Sequence, residues 1–385
     1  MNKFLLKSLL ISLMLLGLPL TGIICSGGVI SLYLEFPPTT RYVSHAPFSL
    51  TAFFGMGTLV FFLILPFLVR LFKHSLKDKS RVIKQAFPWW GYMGILSGTL
   101  FWLLAWTRFE GFSLFQHHTF TPLWISYIIV VNGACYARSK SCVMLKEPVY
   151  FLLLFPSSAV FWWFFEYLNR FVQSWYYVEV YRFSPAEYII FSSLSFSTVL
   201  PAVLSTAEFL STFPCFFRIF SGFKKNMVFE SKKLWVLLLI FSVTGLSLIG
   251  IFPDQLYPLL WISPLIIIVF LQVFSGEPHL FSDPSQGNWS IIVISSLAAL
   301  ICGFLWEMWN YYSLAKWIYS VPYVHRFSLF EMPLLGFSGY LLFGLECTVI
   351  GNILWKRLSR DADACSKTFI FFQQPLKTIT TDVKR

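Results

Sequence analysis

Charge is scarce in this chain: Asp, Glu, Lys and Arg together make up 12% of the residues, about half the share of a soluble globular domain. So few charges exclude a soluble enzyme and a disordered chain. The seven cysteines (Cys25, Cys135, Cys142, Cys215, Cys302, Cys347 and Cys365) form no C-x-x-C spacing, so neither a disulfide framework nor a zinc site is indicated. A phosphate-binding glycine loop, a dinucleotide fingerprint, an H-E-x-x-H helix and a nucleophile elbow are also lacking. No metal and no cofactor is therefore expected.

Apolar surface is what the chain has in quantity. Of 385 residues, 57% are apolar and 20% aromatic. A transmembrane helix takes about 20 mostly apolar residues, so roughly 219 apolar positions suffice for about ten spans. Apolar runs lie near 8–33, 47–72, 86–107, 119–137, 148–168, 186–212, 234–252, 255–275, 289–309 and 329–355. The expected fold is an all-α integral membrane protein with about ten transmembrane helices.

The net charge of +11 follows from 29 basic and 18 acidic residues. With the N-terminus placed inside, segments 73–85, 137–147, 213–233 and the tail from Lys356 share that side. Together with Lys3, Lys7 and Arg70, they hold 23 of the 29 basic residues; only Arg41, Arg108, Arg170, Arg182, Lys316 and Arg326 fall opposite. This positive-inside bias predicts a bacterial-type inner membrane, both termini cytoplasmic, with membrane lipid and not nucleic acid as the partner. The loop 276–289 has no Lys or Arg and departs from the pattern. The run Met1–Gly28 also has the layout of a cleaved signal peptide; an uncleaved first span keeps the charge alternation and is the preferred reading. Ile24 before Cys25 is too large for a lipobox.

The second half resembles the first. FTPLWIS at 120–126 is matched by LYPLLWIS at 256–263, and FWWFFEYLNRFVQSWYY at 161–177 by GFLWEMWNYYSLAKWIY at 303–319. Glu166 then aligns with Glu307, Asn169 with Asn310, Trp175 with Trp317, Tyr177 with Tyr319, Glu187 with Glu331 and Glu208 with Glu346. The organisation expected is two N-terminal spans (1–72), a first four-helix repeat (73–212), a basic cytoplasmic linker (213–233), a second four-helix repeat (234–355) and a cytoplasmic tail (356–385). An even number of spans gives both repeats the same orientation, as in transporters built from parallel repeats. The aromatic stretches after Asn169 and Asn310 are expected along the outer interface, where Trp and Tyr are favoured.

Six glutamates fall in or at the ends of these spans. Ionisable groups in hydrocarbon are expensive and by default mark function, and burial favours the protonated carboxyl, a candidate proton donor. Glu166 and Asn169, like Glu307 and Asn310, are three apart and share a helix face; interhelical bonding is their alternative role. Glu187 and Glu331 open spans, where a carboxylate also serves as a helix cap. Glu208 and Glu346 lie deep in theirs. Adjacent His117 and His118 diverge on a helix, which argues against a metal site. Aromatic clusters around 161–165 and 305–309 would pack helices, or line a cavity for a flat isoprenoid and stabilise a carbocation.

The order of features resembles the membrane lycopene cyclase domain family: an aromatic–acidic pair ending one span, a Trp-aromatic segment, then a Pro-x-Glu-Glu motif. Here Trp306-Glu307, Trp317-Ile318-Tyr319 and Phe330-Glu331-Met332-Pro333 carry the likeness, as do Phe165-Glu166, Trp175-Tyr176-Tyr177 and Pro185-Ala186-Glu187. The double Glu is single in both repeats, and in the second the Pro follows it. The resemblance implies a redox-neutral cyclisation begun by proton donation, making the chain an isomerase-like membrane enzyme on a lipophilic substrate. Glu187 and Glu331 would be acid or base, with Glu166 and Glu307 orienting or stabilising. Asn169, Asn310, Trp175, Trp317, Tyr177, Tyr319 and Trp306 would bind substrate. The competing expectation is a transporter or channel with Glu208 and Glu346 as an intramembrane proton or cation relay.

Overall fold

The structure, a computed structural model, describes residues 3–38, 40–74, 85–225 and 227–358. Most of the loop 73–85, nearly all of the tail 356–385 and Cys365 lie outside the described residues. Every expected apolar run contains a helix. These are α1 (Lys3–Cys25), α2 (Leu50–Lys73), α3 (Trp89–Trp106), α4 (Phe120–Ser139) and α5 (Pro148–Val172), then α6 (Pro185–Phe196) with α7 (Val199–Ser211), α8 (Lys232–Leu248), α9 (Leu259–Phe274), α10 (Ser290–Tyr311) and α11 (Phe337–Leu358). Among the described residues six helical stretches are long and apolar enough to cross a membrane: α2, α4, α5, α6–α7, α10 and α11 with its preceding turn. The chain has the architecture of a multi-pass helical membrane protein.

Local chemistry sets the helix boundaries. Ser49 and Ser231 each accept a hydrogen bond from the third backbone N–H beyond them, which satisfies one of the four free donors at a helix start. Pro148 and Pro185 open α5 and α6, where a missing N–H costs nothing. The run 186–212 forms one helical stretch, Pro185–Ser211, with a turn between Phe196 and Val199. Pro201 supplies no N–H to the carbonyl of Ser197 and crowds it. Ser158 of α5 bridges the turn: its hydroxyl donates to the Phe196 carbonyl (2.6 Å) and accepts from the Leu200 N–H (3.0 Å).

The same set of packing pairs occurs in each half. α3 packs on α4 as α8 does on α9; α4 on α7 as α9 on α11; α5 on α7 as α10 on α11. Across the halves, α10 packs on α7 and α5 on α11. α2 stands apart, with no buried residue. It is tethered at its ends, where the Ser49 N–H donates to the Tyr323 carbonyl and Arg70 donates to the carbonyls of Ile219, Ser221 and Gly222.

Four short strands add to the helices at the end of the bundle where α5 and α10 terminate. β1 (Trp175–Val178) pairs antiparallel with β2 (Lys316–Tyr319), and β3 (Ser328–Leu329) with β4 (Met332–Pro333). The aromatic stretches expected to lie along the interface as amphipathic segments are therefore partly strand. Their β-branched and aromatic residues suit a pleated pair, and pairing satisfies main-chain groups that a bare interfacial coil would leave to water.

Candidate functional site

Glu166 on α5 and Glu307 on α10 are fully buried, each near the end of its helix and one turn before an asparagine. The asparagines act on the backbone. Asn169 donates to the Trp175 carbonyl (2.8 Å) and accepts from the Ser174 N–H (2.8 Å); Asn310 donates to the Trp317 carbonyl (2.8 Å) and accepts from the Trp317 N–H (3.0 Å). After α5, Gln173 takes a left-handed conformation (φ 49°) that turns the chain back. Each asparagine thus holds its strand against the helix that carries the acid.

The strands bring donors to the carboxyls. Glu166 Oε1 accepts from Tyr177 Oη (2.6 Å), Trp162 Nε1 (3.0 Å) and Trp175 Nε1 (3.1 Å). Glu307 Oε1 accepts from Tyr340 Oη (2.6 Å) and Tyr319 Oη (2.8 Å), and Trp317 Nε1 donates in turn to Tyr319 (2.9 Å). In both acids Oε2 is buried and has no partner. A buried polar atom left unpaired costs free energy, and the same arrangement, one oxygen clasped and one unpartnered, recurs at both sites. Burial, and then the neighbouring Glu166 and Glu307, hold the phenols of Tyr177 and Tyr319 well above their ordinary range. Both remain O–H donors at any physiological pH.

The β1–β2 register is self-complementary. Trp175 faces Tyr319 and Tyr177 faces Trp317, the exchange expected when two equivalent strands pair across a two-fold axis. Aromatic rings cross between the halves in the same way. Trp261 stacks on Phe165 (4.9 Å) and on Trp175 (5.8 Å), while Trp124 lies 4.9 Å from Trp306 and Phe120 lies 5.6 Å from Trp317. Phe343 touches both Trp162 (5.6 Å) and Trp306 (6.2 Å), and Trp306 touches Tyr340 (5.9 Å). A continuous aromatic layer therefore joins the two carboxyls.

The remaining glutamates sit elsewhere. Glu187 is exposed and closes a capping box with Ser184. Glu331 is not at a helix start: it lies in the turn between β3 and β4, where it pairs with Lys316 at 2.5 Å. The expected span from 329 begins as this hairpin, and α11 starts at Phe337. Glu208, near the opposite end, accepts from the Val143 N–H (2.9 Å). Glu346 is buried, with neither oxygen hydrogen-bonded. Of the acids expected to act together, Glu166 and Glu307 are joined by one network of rings and strands, and Glu331 meets the same strands through Lys316 of β2. His118 packs on Phe191 (4.2 Å) and His117 on Phe183 (5.7 Å); burial keeps both imidazoles below their usual value.

Three contributors escape a reading of the sequence. Trp162 lies one helical turn before Glu166, so i,i+4 spacing was a signal for it. Its aligned position in the second half is Gly303, where a Cβ would come within 2.3 Å of the Tyr340 ring. Tyr340 itself aligns with Ala202. One half thus carries Trp162 with Ala202, the other Gly303 with Tyr340: the large donor moves from one helix to its neighbour. Only the fold shows that exchange. The chain matches no family model, no curated protein and no solved structure.

Proposed function

We propose that this is a membrane enzyme performing acid–base, isomerase-like chemistry on a lipophilic substrate of isoprenoid type. The observation that carries the reading is the asymmetry of the two carboxyls, each with Oε1 clasped by phenol or indole donors and Oε2 buried and unpartnered. Held as a carboxylic acid, such a group would carry its proton on Oε2, the oxygen that its donors leave free. The donors on Oε1 strengthen as negative charge develops during proton transfer, which is where preorganised donors assist a reaction. Oε2–H would add its proton to one carbon of a double bond, and the cation left on the neighbouring carbon would be stabilised by the faces of Trp162, Trp306 and Phe343. Attack by a second double bond of the same molecule closes a ring, and transfer of a proton from carbon to the carboxylate left by the first step restores a double bond and regenerates the acid. Atoms and electrons balance without an oxidant, in keeping with the resemblance to membrane lycopene cyclase domains. In this scheme Glu166 and Glu307 are the acids; Glu187 caps a helix and Glu331 holds Lys316.

We further infer ten membrane crossings and two like-oriented four-helix units at 73–212 and 234–355, preceded by two spans. The paired packing pattern and the self-complementary β1–β2 register support this. The loop charges favour a bacterial-type inner membrane with the strand end outside and both termini cytoplasmic. The test is expression in a host that accumulates an acyclic polyene. Wild type should yield an isomer of unchanged mass, and Glu307→Gln or Glu166→Gln should remove it while protein still accumulates. Full activity in both variants would end the proposal.

A second reading, a proton or cation pathway, draws on Glu346, whose two unpartnered oxygens sit deep in α11. It expects pH-dependent flux in reconstituted vesicles that Glu208→Gln combined with Glu346→Gln reduces; equal flux would refute it.

A further inference from the structure

Outside the acid clusters, residues 31–38 and 40–49 strap across the end of α5. Arg170, nine-tenths buried, donates to the main-chain carbonyls of Leu32 (2.9 Å) and Glu35. Asp254 holds the other end: its Oδ1 pairs with His45 Nδ1 (2.6 Å) and its Oδ2 accepts from the Ala46 N–H (2.8 Å). The His45 Nε2 meets the Gln173 carbonyl (3.2 Å). Between strap and bundle lies a cavity of about 630 Å³. Its lining includes the polar Arg41, Ser44 and Arg170 and the apolar Leu32, Tyr33 and Phe171.

We propose that this cavity binds the phosphate of a membrane lipid headgroup. The charges facing it are Arg41, Arg170, His45, Glu35 and Asp254. Asp254 is taken by His45 and the Ala46 amide, and Glu35 lies on the strap beside Arg170, so those two pairs offset one another. Arg41 bonds Gln173 only through its main-chain N–H (3.2 Å). Its guanidinium has no side-chain partner among the described residues, and Arg41 lines the cavity, so it is the charge available to hold an anion by charge-assisted hydrogen bonds. Ser44 adds a hydroxyl. The rest of the chemistry points to a lipid and not a free ion. Leu32, Leu34 and Phe36 of the strap are each at least 60% exposed and would lie among acyl chains, while Tyr33 and Phe171 stack at 4.6 Å as an apolar wall. A phosphate at this cavity would have its tails on that exposed surface.

The proposal is independent of the acid clusters and is tested on the full chain in detergent by native mass spectrometry. The probes are phosphatidylglycerol, diacylglycerol as its phosphate-free counterpart, and inorganic phosphate as competitor. Phosphatidylglycerol should be retained, diacylglycerol should not, and Arg41→Gln should weaken retention about tenfold, the loss expected for one charge-assisted hydrogen bond. Ser44→Ala should weaken it less. Both side chains are at the surface, so neither variant threatens folding. Displacement of the lipid by inorganic phosphate alone would support the phosphate chemistry and assign the site to the free ion. Equal retention of diacylglycerol, or retention unchanged in Arg41→Gln, would overturn the proposal.

Discussion

Glu166 and Glu307 occupy aligned positions and accept their donors on the same oxygen, yet the two clusters are built differently. The first is local: Trp162, Trp175 and Tyr177 all lie within 11 residues of the acid. The second borrows Tyr340, 33 residues away on α11, and makes room for it with Gly303. What is common to both is the functional arrangement, one oxygen clasped and one unpartnered; the residues that achieve it are free to move between helices. The comparison separates what the chemistry requires from what packing happens to supply.

The largest expected effect breaks the Gly303–Tyr340 fit. Gly303→Leu places a Cβ 2.3 Å from the Tyr340 ring and should destabilise by about 3 kcal/mol, the upper range for overpacking a filled core. Protein yield and thermal unfolding in detergent check it. In the other half, Trp162→Gly should cost a similar amount, about 3 kcal/mol. If the exchange is real, the double variant Trp162→Gly with Ala202→Tyr should recover part of that loss, whereas strict additivity of the two changes would deny the coupling.

Next come the donors. Tyr340→Phe leaves Glu307 with Tyr319 alone and should lower turnover about tenfold, one charge-assisted hydrogen bond of about 1.5 kcal/mol. Tyr177→Phe leaves two indoles on Glu166 and should lower it less. The two phenols of the strands also make a pH prediction. Their folded pKa values are raised by burial, so the stability they contribute is present below the ordinary phenol range near pH 10 and is lost as pH rises through the higher folded values. An ultraviolet titration of wild type against Tyr177→Phe and Tyr319→Phe should show each substitution removing one phenol that ionises only as circular dichroism is lost; a phenol removed from the titration of the intact fold would contradict this.

The smallest effects belong to the outer glutamates. Glu187→Ala removes a capping box and should lower the unfolding temperature only slightly, with product formation intact. Glu331→Gln removes a part-exposed pair with Lys316, worth about 0–1 kcal/mol. Abolished turnover in Glu187→Ala, with a normal unfolding temperature, would move the acid role back to the helix starts.

Much of this was legible in the sequence, for physical reasons. Apolar runs located the helices because a bilayer sets a minimum length, and the spacing of Glu166 with Asn169 and of Glu307 with Asn310 placed each pair on one helix face. Pro201 and its repair by Ser158 were not, because that hydroxyl comes from a different helix. The hairpin at Glu331 was hidden because Phe330 and Met332 read as the start of an apolar run, while pairing of β3 with β4 prevails locally. Tyr340 was hidden too: in the first turn of α11 and within an apolar stretch, it has no spacing relation to Glu307.

The most direct test of the two-acid account is reaction with an acyclic polyene in deuterium oxide, using membranes that contain the protein. A proton delivered from the exchangeable carboxyl of Glu166 or Glu307 leaves one solvent deuterium on carbon in each ring formed, and neither Glu166→Gln nor Glu307→Gln should produce labelled product at the wild-type rate. Cyclised product without deuterium, or label that persists unchanged in both variants, would contradict it.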